Sequence, residues 1–315
     1  MKNDCLLGER TGLRVSELVL GTARLGAATD EADTLATLHA FADAGGTFFD
    51  TSSRYQHGRA ETKLGKFLEE RGRDPFVVAT KYTSTALASP PAAAQGNHRG
   101  SMQREVEASL RRLRTDRIDL YFPHFDDGLT PIEEVMRGLE DLARSGKIVH
   151  VGLSNFPAWR TSAAATLADL RGWAHVTTLQ LQYNLLERSI EREHLPLARA
   201  HGMAVMAWSP LSGGALTGRT GTSVQNTLNE IASELGHSAA AVALAWVRAK
   251  GLFPVLGPRT ASQLAGNLET LAVQLEAVQI GRLDAASAFA KGYPYDLLAE
   301  QWAAAGPTAR SGEIQ

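Results

Sequence analysis

The chain has 315 residues, 44% hydrophobic and 21% charged, with a formal net charge of −2. That length can bury one large core, and the near-neutral balance gives no electrostatic case for nucleic acid or anionic lipid as a partner. A single cysteine, Cys5, excludes an internal disulfide framework and a cysteine-rich metal site, and fits a reducing compartment.

The first twenty residues carry Lys2, Asp4, Glu9, Arg10, Arg14 and Glu17, so no apolar signal-peptide core is expected. The longest apolar run, from Ala239 to Val247, is far too short to cross a bilayer. A soluble cytoplasmic protein is the expectation. A hairpin-like opening, Leu6-Leu7-Gly8 and Leu13-Arg14-Val15, precedes an alternation of strand and helix patterns. Strands are predicted at 18–21, 47–50, 76–80, 118–122, 148–153, 176–182, 203–208 and 252–256. Helical patterns fall near 31–44, 60–71, 101–114, 131–145, 157–170, 190–201, 238–250 and 260–270. The helix from 131 has good entry chemistry, with Thr130 as cap, Pro131 first, then Glu133 and Glu134, and Gly146 closing it.

Eight such units in about 260 residues predict a (β/α)8 TIM barrel rather than a doubly wound sheet. The N-terminal β-hairpin and an extra C-terminal helix or tail flank it. No G-x-G-x-x-G follows a strand, which argues against a Rossmann fold. The whole chain, 1–315, reads as one domain. Two stretches break the rhythm: residues 83–100, an Ala/Pro/Ser/Gly-rich loop on the strand C-terminal rim, and a weakly ordered tail after about residue 304.

Asp50, Tyr55, Lys81 and His124 each sit at or just past the end of an apolar strand run. Side chains at strand ends of a βα repeat converge on one rim. An acid, a phenol, an amine and an imidazole gathered there can move protons. Taken singly, each has a plainer reading: a turn-capping aspartate, a surface tyrosine, a solvated lysine, a structural histidine. Their joint occurrence in order favours catalysis. His57 and His150 read as structural, and paired-His metal spacing is absent, so no metal site is expected.

Along almost its whole length the chain resembles an aldo-keto reductase. The matching segments are Leu18-Val19-Leu20-Gly21-Thr22, Phe49-Asp50-Thr51 with Tyr55, Ala79-Thr80-Lys81, Ser109-Leu110-Arg111-Arg112-Leu113 with Asp116, Ile118-Asp119-Leu120-Tyr121 and His124. The second half matches as Gly146-Lys147-Ile148, Gly152-Leu153-Ser154-Asn155-Phe156, Gln180, Tyr183-Asn184, Trp208-Ser209-Pro210-Leu211, Gly257-Pro258-Arg259 and Asn267. The resemblance implies reduction of an aldehyde or ketone with a nicotinamide cofactor. Tyr55 would give the proton, Lys81 would lower its pKa, Asp50 would hold Lys81, and His124 would donate to the carbonyl oxygen.

The resemblance also implies that Ser154, Asn155 and Gln180 hold the nicotinamide carboxamide and that Trp208 stacks on its ring. Ser209, Leu211 and Gly213 would approach the pyrophosphate, and Gly257, Arg259, Gln263 and Asn267 would receive the adenosine end. Gly21, Thr22, Asp50 and Pro210 complete the cofactor set. A guanidinium at Arg259 favours NADPH over NADH by pairing with a 2′-phosphate. Three departures stand out: Gln263 where many members have Arg, Gly266 where many have Glu, and a short stretch from Leu216 to Gln225 in place of a long loop over the pyrophosphate. The short stretch predicts an open cleft and fast cofactor exchange. Leu25, Tyr82, Phe125 and Phe156 are candidate substrate contacts, and the partner expected is a small carbonyl compound. Alternatives are a sugar or alcohol dehydrogenase working oxidatively and a slow redox-sensing subunit.

Overall fold

The computed structural model describes residues 1–25, 31–218 and 221–305, with side chains to Ala303. The expected weakly ordered tail lies outside these residues, as does part of the short stretch after Leu216. A hairpin of β1 (Cys5–Leu6) and β2 (Arg14–Val15) opens the chain, with Cys5 opposite Val15. Among the described residues, eight parallel strands then close a barrel: β3 (Val19–Gly21), β4 (Phe48–Asp50), β5 (Val77–Tyr82), β6 (Ile118–Pro123), β7 (Ile148–Ser154), β8 (Val176–Gln182), β9 (Ala204–Trp208) and β10 (Phe253–Leu256). Each falls within two residues of its predicted bounds. The fold is a (β/α)8 barrel.

Helices α1 (Glu31–Asp43), α2 (Arg59–Arg71), α3 (Arg99–Leu113), α4 (Ile132–Arg144), α5 (Ala158–Arg171) and α6 (His194–Ala200) follow the first six barrel strands in turn. Two helices, α7 (Ser223–Leu235) and α8 (Ala239–Ala249), follow β9, and α9 (Ala261–Leu268) follows β10. Beyond them lie α10 (Ala277–Ala286) and α11 (Tyr295–Ala305). Helix α7 was not predicted, although its signal is local. Thr222 and Gln225 form a reciprocal capping box, Leu228, Ile231 and Ala232 are buried, and Gly236 in the left-handed region ends it.

Thr130 does not cap α4 as expected. Its hydroxyl donates to Asp127 Oδ2 at 2.7 Å, and Pro131 takes the cap position without a side-chain bond. The helix begins one residue later than expected, at Ile132, so Thr130 lies outside the cap position.

Side chains alternate along each strand, and the core has two parts accordingly. Val19, Phe48, Val77, Ala79, Leu120, Phe122, Met206 and Val255 fill the barrel, and Leu7 and Val15 of the hairpin join them. The opposite faces pack against the helices in a larger cluster that includes Phe41, Phe49, Phe67 and Trp246. Gly152 belongs to the first part by necessity, because a Cβ there would stand 2.1 Å from the Phe122 ring.

Candidate active site

The alternation that builds the barrel core also delivers the polar side chains. Phe48 points inward, so Asp50 two residues on does the same. Val77 and Ala79 lead in this way to Lys81, and Leu120 and Phe122 lead to His124 just past the end of β6. All three reach the C-terminal rim above one apolar floor.

Lys81 is fully buried and donates to Asp50 Oδ1 at 2.6 Å and to the Thr51 carbonyl at 2.9 Å. Asp50 Oδ1 also accepts Gln180 Nε2 at 2.8 Å. A buried charge is tolerated where it is paired and hydrogen-bonded, as here. Burial opposes the lysine charge, but Asp50 and Tyr55 more than offset it, so the Lys81 pKa lies above its ordinary value. Tyr55 follows on a short loop, its backbone N–H held by the Ser52 carbonyl at 3.1 Å. Lys81 Nζ is 5.2 Å from the Tyr55 ring centroid, and the His124 ring meets it edge-on with centroids 5.7 Å apart.

The resemblance implies that Lys81 lowers the Tyr55 pKa. The ammonium does act in that direction, but burial outweighs it and the phenol sits above its ordinary value of 10. The physical reason is that Lys81 already shares its charge with Asp50, whose own field pushes the phenol up. Tyr55 therefore keeps its proton. His124 is driven down to about 3 by burial, then by the Lys81 and Arg54 cations, so the imidazole is neutral.

These groups stand at one end of a long cleft of about 790 Å³. Gly21, Asn155, Gln180, Trp208, Ser209, Pro210, Leu211, Gly213, Gly257, Arg259, Gln263 and Asn267 line it with Asp50, Tyr55 and His124. Thr22 and Ser154 are buried, at 2% and 0% exposure, and do not line it. Asn155 is left-handed (φ 53°). It donates to the His124 carbonyl at 2.9 Å and accepts from Trp208 Nε1 at 3.0 Å, which fixes the indole edge. Both Gln180 Nε2 hydrogens are taken, by Asp50 and by Met206 Sδ, so it offers a ligand its carbonyl oxygen. Ser209, Ser212, Gly213 and Gly214 all have positive φ, and the turn spends the Ser212 and Gly214 N–H groups on its own Ser209 and Leu211 carbonyls at 2.8 and 2.9 Å.

At the far end Arg259 is exposed and forms no ion pair among the described residues, while its backbone N–H is held by Gln263 Oε1 at 2.8 Å. Glu269, bonded by Ser238, lines this end beside Gly266. The cleft thus presents the flat Trp208 indole, the Ser209–Gly214 turn and the Arg259 guanidinium along its length. Thr22 Oγ1 and Thr51 Oγ1, both buried beside the catalytic end, lack any hydrogen-bond partner.

Three expected substrate contacts are corrected. Tyr82 is fully buried, stacked on Tyr121 and bonded to the Asn97 carbonyl, because it follows inward-pointing Lys81 and so faces the helices. Leu25 is 1% exposed in the outer core, its carbonyl held by Gln56. Phe156 is 3% exposed there too, beneath Arg160. Phe125 alone of the four stays half-exposed, beside the His124 ring.

The long loop 83–98 carries residues that sequence reasoning passed over. Thr83 has φ 91°, a strained value for a β-branched residue, and its Oγ1 accepts the His124 N–H at 3.0 Å. Buried Asn97 accepts from Thr83 Oγ1 at 2.6 Å, donates to the Phe125 carbonyl at 3.0 Å and gives its N–H to Asp127 at 2.7 Å. The loop is a brace for the His124 segment. No cluster among the described residues could hold a metal ion, and no helix among them is long and apolar enough to cross a membrane.

A sequence model of the Aldo/keto reductase family matches residues 17–288. The chain belongs to this family. It is 37% identical to the uncharacterized oxidoreductase YrpG of Bacillus subtilis, over 85% of this chain and 90% of the relative. It is 34% identical to the norsolorinic acid reductase stcV of Emericella nidulans, over 94% and 84% of the two chains. With the aryl-alcohol dehydrogenase [NADP(+)] of Phanerodontia chrysosporium it shares 33% identity over 92% and 87%. This aldo-keto reductase is an NAD(P)H-dependent oxidoreductase.

Proposed function

We propose that this aldo-keto reductase reduces an aromatic aldehyde or ketone to the alcohol with NADPH, Tyr55 acting as general acid. The observation that carries the proposal is the contact of a neutral, proton-retaining Tyr55 with the buried Lys81–Asp50 pair, opposite a neutral His124. Reduction leaves a developing alkoxide that must be protonated in the same step. Tyr55 delivers that proton. Lys81 steadies the phenolate left behind, and Asp50 keeps Lys81 charged and in place. His124, uncharged, donates a hydrogen bond to the carbonyl oxygen and holds its angle.

The bound nicotinamide would supply the hydride. Asn155, Gln180 and Trp208 would hold its head, the Ser209–Gly214 turn its phosphates, and Gly257, Gln263 and Asn267 its adenosine. Arg259 has a guanidinium free to pair with a 2′-phosphate. The aromatic substrate class rests on the names of the relatives, a norsolorinic acid reductase and an aryl-alcohol dehydrogenase, and on the half-exposed Phe125 beside the catalytic ring. Cytoplasmic residence remains part of this reading.

The test is turnover of an aldehyde panel including 4-nitrobenzaldehyde with NADPH, wild type against Tyr55→Phe. Wild type is expected to turn over, and the variant to lose orders of magnitude in kcat with cofactor affinity nearly unchanged. An unaltered rate in the variant would remove Tyr55 from the role of acid.

A further inference from the structure

Two residues beyond Asp50, Ser52 is completely buried on the loop to Tyr55. Its Oγ lies 3.1 Å from Nδ1 of His124. The hydroxyl has one hydrogen to give and lone pairs to receive. The Arg54 backbone N–H approaches those lone pairs at 3.4 Å. For the hydrogen there are two acceptors within reach: His124 Nδ1 at 3.1 Å and the Lys81 carbonyl at 3.5 Å. The second distance is at the outer limit of a hydrogen bond, so the first wins.

We infer that Ser52 donates to Nδ1 of His124 and thereby holds the imidazole as the Nε2–H tautomer, making Ser52 a positioning residue for the donor that meets the substrate carbonyl. A neutral imidazole carries one N–H. With Nδ1 occupied as acceptor, that hydrogen is on Nε2 of a ring that lines the cleft. The strongly depressed basicity of the ring keeps a second proton off it, so the tautomer is the one variable left.

The rest of the His124 anchorage acts on the backbone. Its N–H is shared between the Tyr82 carbonyl at 3.1 Å and Thr83 Oγ1 at 3.0 Å, and its carbonyl accepts from Asn155. None of these contacts chooses between the ring nitrogens. Ser52 does, and its own carbonyl also holds the Tyr55 N–H at 3.1 Å. One residue thus sets the start of the acid and the tautomer of the hydrogen-bond donor.

The inference rests on the reading of the cleft as a carbonyl-reducing site, and the experiment separates the two. Long-range 1H–15N correlation on 15N-histidine-labelled protein, with His124 assigned by the missing signals of His124→Asn, reads the ring directly. In wild type Nδ1 is expected to be unprotonated and hydrogen-bonded and Nε2 protonated, with and without NADPH. In Ser52→Ala the Nδ1 signal is expected to move toward that of a free acceptor or to split between tautomers. The kcat is then expected to fall roughly three- to tenfold, the worth of one neutral hydrogen bond, with KM for NADPH unchanged. Ser52→Thr, which keeps the hydroxyl, is expected to restore both. A wild-type ring protonated on Nδ1 would overturn the inference, as would an Ser52→Ala ring and kcat identical to wild type. Should Ser52→Ala not fold, the wild-type spectrum decides alone. The expected spectrum in a protein that turns over no carbonyl would sink the reading of the site while leaving the hold of Ser52 on His124 intact.

Discussion

Gln180 and Lys81 donate to the same atom, Oδ1 of Asp50, at 2.8 and 2.6 Å. One residue belongs to the group lining the long arm of the cleft, the other to the proton-transfer group, and a single carboxylate oxygen joins them. Asp50 is also the charge that raises the Lys81 pKa against burial.

Replacing Asp50 by Asn keeps an oxygen for both donors but removes that charge. Burial then weighs more heavily on Lys81, so the lysine loses its proton at a lower pH than in wild type. The expected outcome is an alkaline fall in kcat for carbonyl reduction that begins at lower pH in Asp50→Asn. It is read from pH–rate profiles of the two proteins with saturating NADPH. Coincident profiles would mean that Asp50 does not keep Lys81 charged.

The neutral state of His124 has its own signature in stability. Folded, the ring titrates at about 3; its reference value is 6.5. Above 6.5 both states leave it neutral and it contributes nothing to the pH dependence. Between 6.5 and 3 the unfolded chain takes up a proton that the folded ring refuses, so stability declines as pH falls through that window. His124→Gln is expected to flatten this part of the curve, measured as the urea midpoint from pH 7 to 4. A slope equal to that of wild type would count against the depressed pKa.

Asn97 braces the His124 segment from a loop that otherwise looks featureless. Asn97→Ala leaves the Phe125 carbonyl and Thr83 Oγ1 without their buried partner. A loss of about 2–3 kcal/mol in urea unfolding is expected, together with a lower kcat because His124 is no longer held by a fixed Thr83. If stability falls and kcat per folded molecule does not, the brace serves the fold alone.

On the proposed reading, the choice of cofactor turns on Arg259. Arg259→Ala is expected to weaken NADPH by at least tenfold and NADH little, since only NADPH carries the 2′-phosphate. Equal losses in fluorescence titrations with the two cofactors would place the phosphate contact elsewhere.

Much of this was legible in the sequence because parallel barrel strands are short, apolar and separated by amphipathic helices, so their ends can be counted. Asp50, Lys81 and His124 could be placed together on that basis. The same alternation shows why Tyr82 failed as a substrate contact: it is one residue after Lys81 and must face the other way. Phe156 failed for a different reason, because left-handed Asn155 breaks the alternation after Ser154. Asn97 and Ser52 carry no local pattern at all. The partners of their side chains that matter, Thr83 and Phe125 for Asn97 and His124 for Ser52, are 14, 28 and 72 residues away in the chain and meet them only once the barrel has closed. Helix α7 is signalled locally by the Thr222–Gln225 capping box, but the short-loop reading of Leu216 to Gln225 overlaps that signal and hides the start of the helix.

The hairpin at the N-terminus packs Leu7 and Val15 into the lower barrel core. A barrel stoppered in this way is a blind well: nothing that enters at the catalytic rim can pass through it. Arrival and departure share one mouth, at the rim where Asp50, Lys81 and His124 stand.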